Sequence, residues 1–248
     1  MKSNADGGGC FPTGRHYPGI AHLLRVVTIG LASEHGSGTP MAELPIVSLD
    51  TETTGRDPER DRIVEIGCVV WRGGAVSARH AWLVNPGCPI PKSAQDVHGI
   101  SDDDVADAPA FTDIVDALFE VLEGQVPLAY NASFDRAFVS AELERAGRTE
   151  GRFPPAARAE VDWIDPLVWA RELQKQEKSR ALGEVAARLG ITIEQAHRAT
   201  DDAEAAARVL GAFLADPRVP SSYGAFMQEQ RRLGRAQEEE RARWRSRG

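Results

Sequence analysis

Cysteine is scarce in this sequence: Cys10, Cys68 and Cys88 are the full set, and none lies in CxxC spacing. An odd, scattered set excludes a disulfide framework and a cysteine zinc site. It reads as free thiols in a reducing compartment, so a cytoplasmic location is expected. Long apolar runs are missing too. The stretch from Gly19 to Ala32 is interrupted by His22 and Arg25, too short and broken to span a bilayer, and no membrane partner is expected. The run Val26–Ala32 has at most the look of an export-signal core. Excess positive charge is lacking as well: 29 Lys and Arg stand against 37 Asp and Glu, a net charge of −8. That excludes a broad basic surface of the kind that coats duplex nucleic acid. It leaves room for an enzyme that holds a few nucleotides at a strand end through bound cations. No internal repeats are present.

What is there fits one well-buried domain with tails, or two very small domains: 248 residues, 42% hydrophobic and 27% charged. Residues 1–40 carry Gly7-Gly8-Gly9 and Gly36-Ser37-Gly38 with little periodicity. They read as a disordered extension, or as the product of an upstream start with Met41 as the real beginning. Residues 41–216 form the expected domain, and 217–248 a charged tail. In that tail eight Arg oppose four Glu, a net of +4; it reads as a solvated helix or frayed end, or as a contact for nucleic-acid backbone or a partner.

Within the domain, Pro45–Leu49 is a short apolar, β-branched run and predicts a buried strand. Arg62–Trp71 predicts a second strand, Gly73-Gly74 a turn and Ala75–Val84 a third strand, so the last two form a hairpin. Ser101 opens a short helical segment with a capping signature. Phe111, Ile114, Val115, Leu118, Phe119 and Leu122 recur at helical spacing. Pro127–Tyr130 predicts a fourth strand, Phe134–Ala146 a helix stopped by Gly147, and Val161–Ile164 a fifth strand. Helices follow from Pro166, from Leu182 and over Thr200–Leu214.

Three acidic clusters sit at the mouths of these elements. In Asp50-Thr51-Glu52-Thr53-Thr54-Gly55, positions two apart in a strand share a face, so Asp50 and Glu52 present two carboxylates together. Asn131-Ala132-Ser133-Phe134-Asp135 places Asp135 in the first turn of a helix, where alone it would read as a capping residue. His197-Arg198-Ala199-Thr200-Asp201-Asp202 puts His197 at the entry to the last helix and Asp202 in its first turn. Clustered carboxylates repel and resist ionisation. Hard divalent cations such as Mg²⁺ or Mn²⁺ remove that penalty. Two ions about 3.5–4 Å apart can clamp the attacking and leaving oxygens of a phosphodiester. An imidazole, with an unperturbed pKa of about 6.5, suits proton abstraction from water at neutral pH.

These stretches resemble the three motifs of the DEDD exonuclease superfamily in its histidine-bearing branch: D-x-E-T-T-G, N-x-x-F-D and H-x4-D, in order and with matching separations. Framing segments are similar too: Arg62-Ile-Val-Glu-Ile-Gly67, Val97-His-Gly-Ile100 and Leu182–Ile191. The resemblance runs from about Ile46 to Phe213. It implies an α/β fold, a ribonuclease-H-like mixed sheet of five strands with the second antiparallel to the rest and helices on both faces. It implies that Asp50, Glu52, Asp135 and Asp202 hold two Mg²⁺ or Mn²⁺ ions, that His197 is the general base, and that Thr53, Thr54 and Asn131 lie against the terminal nucleotide. Glu65 and His98 match framing positions without a catalytic assignment. Tyr130 stands where many relatives have His. The implied activity is 3′→5′ hydrolysis of nucleic-acid ends, releasing nucleoside 5′-monophosphates. The D-T-E-T-T-G form favours single-stranded DNA and the group of the proofreading epsilon subunit of bacterial DNA polymerase III, with a polymerase as a candidate partner. A ribonuclease T-like RNA-trimming enzyme and an inactive strand-end or partner-binding module are the alternatives.

Overall fold

The computed structural model describes residues 30–194 and 197–246; Cys10 and most of the expected N-terminal extension lie outside them. The sheet contains β1 (Ile46–Thr53), β2 (Ile63–Arg72), β3 (Ala75–Leu83) and β4 (Val126–Leu128) in the order β3-β2-β1-β4. β2 is antiparallel to β1 and β3, and β4 runs parallel to β1. The helices are α1 (Lys92–His98), α2 (Asp102–Val105), α3 (Phe111–Leu122), α4 (Ser133–Arg145), α5 (Pro166–Leu173), α6 (Leu182–Arg188), α7 (Ala199–Phe213) and α8 (Tyr223–Arg245).

The predicted fifth strand is corrected. Val161–Ile164 meets the sheet at a single isolated parallel bridge, Ile164 to Leu128; a second bridge joins Val161 to Gly30, which lies outside the sheet. On the β4 side only Ile164 is bonded, its amide donating to the Pro127 carbonyl and its carbonyl accepting from the Ala129 amide, before Asp165 turns the chain into α5.

Alternation along β1 decides which side chain faces which layer. Val47 and Leu49 join the core under α3 and α4, with Phe111, Leu118 and Phe138. Ile46 joins the opposite core, with α5 to α8, around Trp169, Leu210 and Phe226. Burial of these two faces is the main stabilising term for the sheet.

The charged stretch after Pro217 is not simply a solvated tail. The first half of α8 buries Tyr223, Phe226, Met227, Gln230 and Leu233, spaced as one helical stripe. Part of the expected disordered extension is docked against that helix. The Tyr223 and Gly224 amides donate to the carbonyls of Thr39 and Ser37, the Ala32 amide donates to the Tyr223 hydroxyl at 3.0 Å, and Ala32 is fully buried.

Candidate active site

β4 ends at Leu128, paired with Ser48, so the far end of β1 is left uncovered on that edge. The N-terminus of α4 fills the gap. The Thr51 amide and hydroxyl both donate to Asp135 Oδ1, at 3.0 and 2.9 Å. Asp135 is 3% exposed and sits in the first turn of α4, where the helix dipole favours negative charge. Thr51 faces the α4 layer. Asp50 and Glu52, one residue to either side, therefore face the α7 layer.

α7 brings the third motif to that face. Its start lies directly on the β2 backbone at Gly67, where an added Cβ would stand 2.3 Å from both the Ala199 carbonyl carbon and the Thr200 nitrogen. Glu65 then fixes the approach: its buried carboxylate accepts from Arg198 Nε at 3.3 Å, Arg198 Nη2 at 2.6 Å and the Ala199 amide at 3.0 Å. One residue earlier, exposed His197 adopts φ +67°, and its amide donates to Asp202 Oδ2 at 3.1 Å. Ligand atoms of Glu52, His197 and Asp202 all lie within 4.8 Å of one another.

α4 is locked by a second ion pair on a buried glutamate. Arg62 donates to both oxygens of Glu142, at 2.6 and 3.0 Å, joining the β1–β2 turn to the helix that carries Asp135. The motif-two turn is held from behind by Asp165, which caps α5 and also accepts from the amides of Asn131 and Ala132 at 3.0 and 3.2 Å. Asn131 itself is exposed, with φ +69°. Thr53 and Thr54 are buried. The Thr53 hydroxyl donates to the Gly55 carbonyl, the Thr54 amide to the Arg62 carbonyl, and the Thr54 hydroxyl accepts from the Arg62 amide. Both hydroxyls are thus engaged in shaping the turn.

Crowding shows in the titration of the cluster. Burial, reinforced by Asp135, Glu52, Asp202 and Glu65, holds the Asp50 carboxyl well above its ordinary range. Burial, with Asp202, Glu65 and Asp135, pushes Glu52 up to about 8 against the pull of Arg198. Burial raises Asp135 to about 7, opposed by the Thr51 bonds, and also raises Asp202, opposed by the His197 amide. Carboxylates that resist ionisation only because they are buried together, with an imidazole beside them, are a donor set suited to hard divalent cations.

Of the five residues singled out in the sequence, Glu52, His197 and Asp202 meet within 4.8 Å, and Asp50 and Asp135 lie within electrostatic reach of Glu52. The sequence did not reveal the supports: Thr51 as a donor to Asp135, Glu65 as the anchor of Arg198, and Asp165 behind Asn131. Of these only the Asp165-Pro166 pair carries a local signal, that of a helix cap with Pro at the first helical position.

The chain resembles known proteins over this same region. It is 34% identical over 156 residues to the DNA polymerase III subunit epsilon of Treponema pallidum (strain Nichols), covering 63% of this chain and 70% of that one. It is 31% identical over 176 residues to a DNA polymerase III of PolC type from Bacillus cereus, where 71% of this chain matches only 12% of the polymerase. Among solved structures, exonuclease X in complex with 5′ overhanging duplex DNA superposes with a TM-score of 0.55 at 24% identity, over 71% of this chain and 95% of that one. A 3′-exonuclease solved for its 3′-end-specific recognition of a histone mRNA stem-loop superposes at 0.57 and 20% identity, over 69% of this chain and 82% of that one. These likenesses establish the ribonuclease-H-like exonuclease fold, and exonucleases of this family depend on divalent metal. Among the described residues no helix is long and apolar enough to cross a membrane. The exonuclease family model RNase_T matches residues 47–210, two-thirds of the sequence, and the chain belongs to that family.

Proposed function

We propose that the chain is a two-metal 3′→5′ exonuclease that hydrolyses the terminal phosphodiester of single-stranded DNA. The observation that carries this is the meeting of Asp50, Glu52, Asp135, Asp202 and His197 at the uncovered end of β1. Asp50, Glu52, Asp135 and Asp202 would hold Mg²⁺ or Mn²⁺. When bound, the ions would neutralise the clustered carboxylates and stabilise the charge that develops on the phosphate. His197, exposed and set by its amide bond to Asp202, takes the proton from the attacking water at its free ring nitrogen. Glu65 and Arg198 keep that imidazole in place from outside the cluster. Asn131, at the mouth of the motif-two turn, offers its side-chain amide to the terminal nucleotide. A DNA polymerase is the partner this reading favours, since the similar epsilon and PolC-type proteins belong to DNA polymerase III.

The test is degradation of 3′- and 5′-labelled single-stranded DNA and RNA of equal sequence, with Mg²⁺, Mn²⁺ or EDTA, with Asp50→Ala alongside. Stepwise metal-dependent loss from the 3′ end, absent in the variant and lowered about 10²–10⁴-fold in His197→Ala, is the expected result. Faster loss of RNA would reassign the substrate. No loss of either strand would refute the enzyme.

A further inference from the structure

Outside the cluster, one group of side chains stands out by being positively charged in an acidic protein. Segment 171–188 carries Arg171, Lys175, Lys178, Arg180 and Arg188 against Glu172, Glu177 and Glu184. It borders the motif-two turn: the Tyr130 hydroxyl, one residue before Asn131, donates to the Arg180 carbonyl at 2.5 Å. α8 adds to it. The two helices pack together: the Asp165 amide donates to Gln230 Oε1 at 2.9 Å, Gln237 Nε2 donates to the Val168 carbonyl, also at 2.9 Å, and the Trp169 ring packs on that of Phe226. Arg171 and Arg241 each lie one turn beyond the Val168–Gln237 bond, and burial, then repulsion from Arg241, lowers the pKa of Arg171.

Among the described residues no hydrogen bond or ion pair reaches the Arg171 side chain. The nearby Asp165 attracts it only from a distance, because its oxygens are committed to the amides of Asn131, Ala132 and Leu167. Arg241 bonds only its own helix, Nε to the Gln237 carbonyl at 3.3 Å. Two guanidiniums that repel each other, one half-buried and neither in an ion pair among the described residues, are stabilised by a polyanion. One turn beyond Arg241, Trp244 is 72% exposed, a ring on which a base can stack.

We propose that Arg171 and Arg241, with Trp244 beyond them, form a track for the phosphate backbone of a single strand whose 3′ end lies in the carboxylate cluster. This rests on the nuclease reading above and adds the path of the strand. Phosphates two or more nucleotides from the end cross the Asn131 turn and lie between α5 and α8.

The test compares wild type with the double variant Arg171→Gln/Arg241→Gln on two substrates: a labelled dT12, and the p-nitrophenyl ester of thymidine 5′-monophosphate, which has no upstream phosphate. The ratio of the two KM values is expected to rise roughly tenfold in the variant, and the salt slope for dT12 to fall by about 1.4 for two lost phosphate contacts. The melting temperature should hold or rise, since a repelled, unpaired charge is removed; a structural role would lower it. Equal effects on both substrates, or none, would overturn the proposal. Fluorescence anisotropy of dT12 reads the track without hydrolysis. An inactive protein that still showed the arginine-dependent salt slope would sink the nuclease reading and keep this one. An acidic peptide that displaced dT12 at equal concentration would assign the surface to a protein partner and overturn it.

Discussion

Without metal, the protein should lose stability as pH rises from 6.5 to 8. Glu52 is pushed up to about 8 and Asp135 to about 7, and both would titrate near 4 in an unfolded chain. The folded state therefore binds more protons than the unfolded state across this window, and the unfolding free energy falls with pH. A raised carboxylate contributes stability while it is protonated and loses it as pH climbs through its folded value. The two groups share one cluster, so the pair is counted as releasing about one proton. One proton corresponds to about 1.4 kcal/mol per pH unit, or about 2 kcal/mol over the window. His98, whose pKa is lowered by burial, offsets part of the loss only at the lower end of the window, where an unfolded imidazole still holds some of its proton. For a domain of this size the expected fall in melting temperature is about 4–8 °C. Thermal melts followed by circular dichroism in EDTA across the window measure it. Mg²⁺ or Mn²⁺ should remove most of the pH dependence by holding the carboxylates ionised. Asp202→Asn, which deletes the charge that raises Glu52 most after burial, should lessen it without metal. A melting temperature that is level or rises with pH in EDTA would refute the electrostatic account of the cluster.

Gly67→Ala should move α7, because both atoms met at 2.3 Å belong to the backbone; a loss of about 1–3 kcal/mol and a larger fractional loss of activity are expected, read by melts and by hydrolysis of dT12. Glu65→Gln keeps the shape but removes the charge that holds Arg198, and should lower stability by about 1–3 kcal/mol and kcat more than KM; an unchanged kcat would mean that His197 needs no outside support. Truncation after Pro217 should unfold the domain, since it strips Tyr223, Phe226, Met227 and Leu233 from the core at about 1.5–3 kcal/mol each; a soluble fragment with native circular dichroism would contradict this.

Much of the molecule could be read from the sequence because its signals are local. Apolar, β-branched runs and the Gly73-Gly74 turn exposed β1 to β3, and the apolar spacing of Phe111–Leu122 matches α3 to the residue. Each chemical motif lies within eight residues, and their meeting is a matter of fold, for which the resemblance stood in. What was hidden joins distant parts of the chain. The Glu65–Arg198 pair spans 133 positions and Thr51–Asp135 spans 84, and no periodicity encodes either. α8 was obscured for another reason: its Arg and Glu run masks a buried stripe that begins at Tyr223 and ends at Leu233. Val161–Ile164 looked like a strand because its composition is apolar, but the apolar side chains serve the two cores rather than a ladder.

Among the described residues only two that are not glycine hold a positive φ, Asn131 and His197, and both stand at the mouth of the cluster. A left-handed backbone costs an ordinary residue about 1–2 kcal/mol, less for asparagine. Glycine would relax both positions, but at 197 it would delete the imidazole and at 131 the amide. The least comfortable backbone among the described residues thus falls on two residues to which the proposed function gives roles, and relief there would remove both groups. On that proposal, attempts to raise heat tolerance have to look elsewhere, because the positive φ at His197 is where the fold gives up stability to hold the imidazole.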